Sequence, residues 1–225
     1  MKIQKLILFA AMLLLVTACA LPSIGGVSGP TVEPPIPAAG TVLFEDDFSN
    51  PLSGFRRFST TEAAGDYDNG VYRFLINGAP LHFFSTLEKR YTDTRIEVDT
   101  AKLDGPDSNL AGIVCRYNNV EGIPSFYFMA ISSDGYYAIG LSNDQGTVLL
   151  GQDQMANSPN INTGVSINHL RADCVGSTLT FYVNGFPIAQ ASDSTLASGQ
   201  VGLLAGAVDA GGVDIIFDRF IVIQP

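Results

Sequence analysis

From about residue 41 onward, apolar and polar positions alternate in short runs rather than at helical spacing. Val71-Tyr72-Arg73-Phe74, Arg95-Ile96-Glu97-Val98-Asp99, Phe126 to Ile131, Leu179 to Val183 and Ile215 to Ile223 are rich in β-branched and aromatic residues. Period-two runs of this composition predict strands that bury one face. Between them stand Asn69-Gly70, Asn77-Gly78, Asp104-Gly105, Asp134-Gly135 and Asn184-Gly185. Such pairs supply the positive φ angles of tight hairpins. At this punctuation density about a dozen strands are expected, folded as an antiparallel β-sandwich or barrel. The segment from Gly151 to Gly164 is the longest irregular stretch expected inside the domain, and no internal repeat is present.

The pattern before residue 41 is different. Lys2 and Lys5 precede an uninterrupted apolar run, Leu6 to Val16, followed by Val16-Thr17-Ala18-Cys19. A basic start, a short apolar stretch and small residues beyond it mark a secretory signal. A bilayer span takes about 20 apolar residues, so this run is too short to remain as a transmembrane helix. Residues 20–40 hold five Pro, four Gly and a single charge, Glu33. A stretch of that composition cannot bury enough surface to fold and acts as a tether with a mean reach of roughly 25 Å. Three segments follow: a signal peptide at 1–18, the cysteine and tether at 19–40, and one all-β domain at 41–225.

Charge narrows the partners. All 22 acidic residues lie beyond Cys19 against ten basic ones, a balance of −12 for the exported part. So acidic a domain is repelled by phosphate backbones and anionic headgroups, which argues against nucleic acid. Beyond Cys19 the remaining cysteines are Cys115 and Cys174, both in strand patterns. In a protein that leaves the reducing cytoplasm a disulfide between them is expected, the alternative being two separately buried thiols.

Val16-Thr17-Ala18-Cys19 resembles the lipobox of bacterial lipoproteins, which implies cleavage before Cys19 and acylation of that residue. The protein would then be held on the outer side of a bacterial membrane by its lipid. Ordinary cleavage after Ala20 also fits the small-residue rule. Within the domain, Phe44-Glu45-Asp46-Asp47-Phe48 near the start and Phe217-Asp218-Arg219-Phe220 near the end resemble the paired terminal strands of concanavalin A-like lectin/glucanase domains. Gly112 to Tyr117, Ile131 to Tyr137, Asn168 to Gly176, Phe181 to Gly185 and Ser198 to Leu203 follow in the order seen in laminin-G-like members of that group. The resemblance implies a concanavalin A-like jelly roll, and it departs from the group at Phe55, where Trp is common. If the terminal strands pair as implied, Glu45, Asp46 and Asp47 would face Asp218, and the crowded carboxylates would suit a structural Ca²⁺.

Glucanases of this fold carry an E-x-D-x-x-E string whose outer glutamates do the cleavage. Here Glu97 and Asp99 supply two carboxylates, but Lys102 occupies the third place. Alternation sets Arg95, Glu97 and Asp99 on one face and Ile96 and Val98 on the other, the pattern of a strand with one solvated charged side. His82 and His169 lack metal-ligand spacing, and His169 reads as a strand-edge residue. Gly202-Leu203-Leu204-Ala205-Gly206 matches G-x-x-x-G only formally, within a strand. No nucleophile elbow or phosphate loop is present. No catalytic residue of the 3-keto-disaccharide hydrolases of the same superfamily can be matched, which leaves a hydrolase of the glucanase or 3-keto-disaccharide type as the remote alternative. Recognition of extracellular carbohydrate is the expected role, with a protein-interaction or sensory module as the alternative. Arg116, Tyr117, Asn118, Tyr127, Tyr136 and Tyr137 are the candidate ligand contacts, because sugar sites need aromatic faces beside a few polar groups.

Overall fold

The computed structural model describes residues 40–225. The expected signal peptide, Cys19 and, Gly40 apart, the expected tether lie outside the described residues. Among the described residues there are sixteen strands and no helix. In chain order they are β1 (Val42–Asp46), β2 (Phe58–Ser59), β3 (Ala63–Asp68), β4 (Val71–Ile76), β5 (Leu81–Tyr91), β6 (Thr94–Asp104), β7 (Asn109–Val120), β8 (Ile123–Ile131), β9 (Tyr136–Asn143), β10 (Gly146–Leu149), β11 (Ala156–Asn157), β12 (Ile167–Val175), β13 (Thr178–Val183), β14 (Phe186–Ser192), β15 (Gly199–Ala207) and β16 (Val213–Ile223).

They form two antiparallel sheets. The nine-stranded sheet runs β14-β13-β12-β6-β16-β4-β3-β2, with β1 also on β16, and the seven-stranded sheet runs β10-β9-β8-β7-β15-β5, with β11 on β9. Every strand run expected from alternation is realised. The excess over a dozen comes from pieces such as β2 and β11, two residues each, which are too short to show a period. Turn chemistry explains the hairpins unevenly. Asn69-Gly70 and Asn184-Gly185 have φ of 50° and 85°, and 52° and 84°, the paired left-handed geometry of a two-residue turn. Asn77-Gly78 instead lies where the chain passes from β4 in one sheet to β5 in the other. Glu121-Gly122, a poor turn signal, closes the β7–β8 hairpin.

The core lies between the sheets. Ile96, Val98, Leu170, Phe181, Ile215 and Phe217 from the larger sheet meet Ile113, Tyr127, Met129, Ile139 and Leu203 from the smaller one, all buried. Each such side chain contributes about 1.5–3 kcal/mol on burial, the fold's main driving force. At one end Phe44, Phe48, Phe55, Tyr72 and Phe220 interlock, Phe44 and Phe55 edge to face with Phe220 and the other rings tilted, with Phe55 5.0 Å from Phe220. Phe55 is thus a core residue. Cys115 on β7 is bonded to Cys174 on β12, joining the two sheets. A closed loop of this length is worth about 4 kcal/mol in the chain-entropy model.

Candidate functional site

The smaller sheet has a second apolar face. Side chains alternate along its strands, so every second residue turns away from the core. On that outward side Val114, Tyr117, Phe126, Phe128, Ala130, Ala138 and Leu204 form a separate cluster, with Phe84, Leu110, Leu149 and Met155 packed against it. A solvated outward face would be polar. This one is aromatic.

Strand register shows how it is built. One row across the sheet reads Phe84, Leu204, Gly112, Ala130 and Ala138, and the next Thr86, Gly202, Val114, Phe128, Gly140 and Leu149. Large rings therefore alternate with residues that have little or no side chain and lie across them, so Tyr117, Phe126 and Phe128 are themselves buried and Phe84, Leu110, Leu149 and Met155 are the partly exposed members of the face. The Phe128 ring lies directly over Gly140, where a Cβ would come within 2.2 Å of it. Gly206 sits between His82 and Leu110, where an added Cβ would meet both at 3.2–3.3 Å. The glycine pair that merely looked like G-x-x-x-G thus has two local causes, since a Cβ at Gly202 would strike the Ser85 carbonyl at 2.1 Å.

Two hollows border this face. One of about 80 Å³ is lined by His82, Leu110, Phe126, Phe128, Ser142, Thr147 and Leu204. The other, about 500 Å³ and more polar, is lined by Leu52, Arg56, Arg57, Thr86, Glu88, Tyr117 and Gln200 among others. Tyr117 connects them: its ring is 5.0 Å from Phe84 and 6.0 Å from Phe126. In the polar hollow the Gln200 amide is held by the Thr86 hydroxyl at 2.9 Å and by the Glu88 carbonyl at 3.4 Å. Flat rings beside fixed amide, hydroxyl and charged groups are suited to a ligand with apolar faces and polar edges.

The six sequence candidates divide. Tyr117 lines the polar hollow, and Tyr136, 42 % exposed, stands on the same side of β9 as Ala138 and Gly140. The other four do not offer a free contact. Tyr127 points inward and is fully buried; its hydroxyl donates to Asp193 at 2.5 Å and accepts the Leu196 N–H at 3.0 Å. Tyr137 packs against the main core. Asn118 is used up by Arg90, Ser198 and the Arg116 carbonyl. Arg116 sits at a β7 bulge with φ 53°, buried, its guanidinium donating to the Thr92, Leu196 and Cys174 carbonyls and to Asp93. That bulge turns Arg116 in and Tyr117 out, a distinction simple alternation cannot make. Phe84, Phe126, Phe128 and His82 were missed; the Gly and Ala opposite them were the available signal.

The carboxylate expectation is corrected too. β1 pairs β16 as implied, but Asp46 lies opposite Phe220, while Asp218 lies opposite Asp99. Glu45, Asp46 and Asp47 share a hollow of about 510 Å³ with Asn50, Ser53, Arg219 and Ile221, without Asp218. Asp46 accepts hydrogen bonds from the Phe48 N–H and the Ser53 hydroxyl, and burial pushes its carboxyl above the usual aspartate value. Asp47 accepts from the Ser49 N–H and hydroxyl. Among the described residues no three His, Cys, Asp or Glu side chains are grouped to hold a metal ion.

On the outward face of the larger sheet, Glu97 and Asp99 flank His169, whose Nδ1 is 2.7 Å from Asp99 and Nε2 3.6 Å from Glu97. Arg219 also pairs with Asp99. His169 is therefore inside the sheet, between β13 and β6, rather than at an edge. Glu97, with Asp99, holds its pKa above the ordinary histidine value, against burial, which lowers it. Lys102 turns to the core side and donates to the Gly105 carbonyl at 2.8 Å and to Asp107. The ladder beside β12 is regular through Ala101, so position 102 falls on the opposite face from Glu97 and Asp99. The glucanase string is not assembled by this backbone, whatever residue stands at 102.

No family model and no curated protein sequence matches the chain. Solved structures match throughout the domain. A Bacillus subtilis protein of unknown function with a galectin-like fold superposes with a TM-score of 0.62 at 15% identity, covering 82% of this chain and 96% of that one. The Bacillus licheniformis β-glucanase gives 0.59 at 10%, covering 84% and 100%. A carbohydrate-binding module from Bacillus subtilis gives 0.56 at 15%, covering 76% and 92%. The fold is that of the galectin-like and β-glucanase sandwiches. At these identities the likeness concerns architecture, and any binding or catalytic role has to come from this chain's own side chains.

Proposed function

We propose that residues 41–225 form a non-catalytic carbohydrate-recognition module, carried outside the cell and tethered to a membrane through acylated Cys19. The observation that carries this reading is the outward aromatic face of the smaller sheet, with partly exposed Phe84 packed on Tyr117 and a polar hollow beside that ring. Sugar rings present flat C–H faces to aromatics and hydroxyls to amides and carboxylates, and this face has both kinds of partner in line. The carbohydrate-binding module among its structural neighbours supports the same reading. Two acyl chains would make the anchorage stable, and a surface tether raises the local concentration of a module of modest affinity.

A protein partner is the second reading. It is favoured by Val120 and Ile123, which face each other at the tip of the β7–β8 hairpin and are 68 % and 47 % exposed. A glycan panel with the purified protein separates the two. Saturable binding lost in Phe84→Ala supports the first. Binding to no glycan, with a crosslinked protein lost in Val120→Ser/Ile123→Ser, supports the second.

A further inference from the structure

We propose that the glycan carries a single carboxylate, as on one uronic or sialic acid unit of an otherwise neutral chain, and that Arg56 binds it. This deepens the carbohydrate reading and rests on it. Arg56 is exposed and lines the polar hollow beside Tyr117. Every other lysine and arginine among the described residues donates to a carboxylate, a carbonyl or a side-chain amide. The Arg56 side chain has no such partner among the described residues, although the exported chain has more than twice as many acidic residues as basic ones. Its neighbour Arg57 is neutralised by Asp66 at 2.5 and 2.9 Å, so the hollow holds one uncommitted cation. An uncommitted guanidinium in a hollow is a receptor for a planar anion, because its fork matches both carboxylate oxygens at once.

The remaining groups set the charge limit. Glu88 lines the same hollow, and the domain as a whole is strongly acidic. A polyuronate would bring further negative charges against both, and a sulfate has a third oxygen that the two-pronged guanidinium leaves unmatched. One carboxylate satisfies Arg56 and leaves Glu88 and Gln200 to hydrogen-bond sugar hydroxyls. The order of groups from Phe84 through Tyr117 to Arg56 then fixes direction, with the neutral units at the Phe84 side and the acidic unit at Arg56.

The test uses the full-length protein on an array of neutral oligosaccharides, each also present with one uronic or sialic acid cap and with one sulfate. Low salt and Arg56→Ala and Arg56→Lys variants complete the design. Acid-capped members should bind at least about tenfold more tightly than their neutral partners, a preference abolished by Arg56→Ala and partly kept by Arg56→Lys. The exposed side chain can be removed without unfolding, which an unchanged melting temperature verifies. Equal binding of capped and uncapped members, unaffected by Arg56→Ala, overturns the carboxylate assignment and leaves carbohydrate recognition standing. Preference for sulfated members or polyuronate also overturns it. Absence of binding to every member overturns both.

Discussion

Tyr127→Phe removes one hydroxyl from the interior and isolates what that group does. The Tyr127 hydroxyl donates to the Asp193 carboxylate at 2.5 Å and accepts the Leu196 N–H at 3.0 Å, so it fastens the loop after β14 to the smaller sheet. A hydrogen bond to a charged acceptor contributes about 1.5–3 kcal/mol, and the orphaned Leu196 N–H adds a further cost, limited because that loop is partly exposed. The expected loss is about 2–3 kcal/mol, which for a domain of this size lowers the melting temperature by roughly 4–12 °C. Burial raises the Asp193 pKa, but hydrogen bonds from Tyr127 and Thr195 outweigh it and leave the carboxyl below its ordinary value. A depressed folded pKa gives stability that is present above the unfolded value and lost as pH falls through the folded one. The gap between wild type and Tyr127→Phe should therefore be full at neutral pH and narrow as pH falls below the ordinary aspartate range. Thermal and urea melts across pH 3–7 measure it, alongside glycan affinity, which should not change. A variant as stable as wild type at pH 7, or one that loses ligand while keeping its melting temperature, would refute this placement of Tyr127.

Cys115→Ala or Cys174→Ala should cost about 2–5 kcal/mol in urea melts, and free-thiol titration of the denatured, unreduced wild type should find neither cysteine reactive. Gly140→Val should destabilise by about 1–3 kcal/mol through collision with Phe128, and it should impair ligand binding through the displaced ring. Because the folded pKa of His169 is raised, its stabilising contribution is complete below the ordinary histidine value and is lost as pH rises through the folded one; His169→Gln should flatten that part of the stability profile. Cys19→Ser should abolish incorporation of labelled fatty acid and release the protein from membranes, and equal labelling of both forms would refute the anchor.

The sandwich was legible because its causes are local. Alternation in Arg95 to Asp99 or Leu179 to Val183 reports one buried face, and Asn69-Gly70 and Asn184-Gly185 report the turns. The site was less legible because it depends on which residues stand side by side across strands. Phe128 is next to Gly140 only through the β8–β9 register, and Phe84 meets Tyr117 only after β5, β15 and β7 assemble. A run of tyrosines marks strands without saying which of their two faces is the core. Tyr127 and Tyr136 looked equivalent in sequence and lie on opposite sides of the smaller sheet. The bulge at Arg116 breaks alternation altogether, so an arginine within a strand became a buried tie while its neighbour turned outward.

The face of the sandwich that meets ligand is the central claim, and paired titrations test it most directly. A glycan that binds wild type in the array would be titrated calorimetrically into wild type, Phe84→Ala on the outward face of the smaller sheet and Arg171→Ala on the outward face of the other sheet. Loss of one aromatic contact should weaken binding by roughly 0.5–3 kcal/mol in Phe84→Ala, with Arg171→Ala matching wild type. Wild-type affinity in Phe84→Ala together with loss in Arg171→Ala would move the site to the other face and contradict the account.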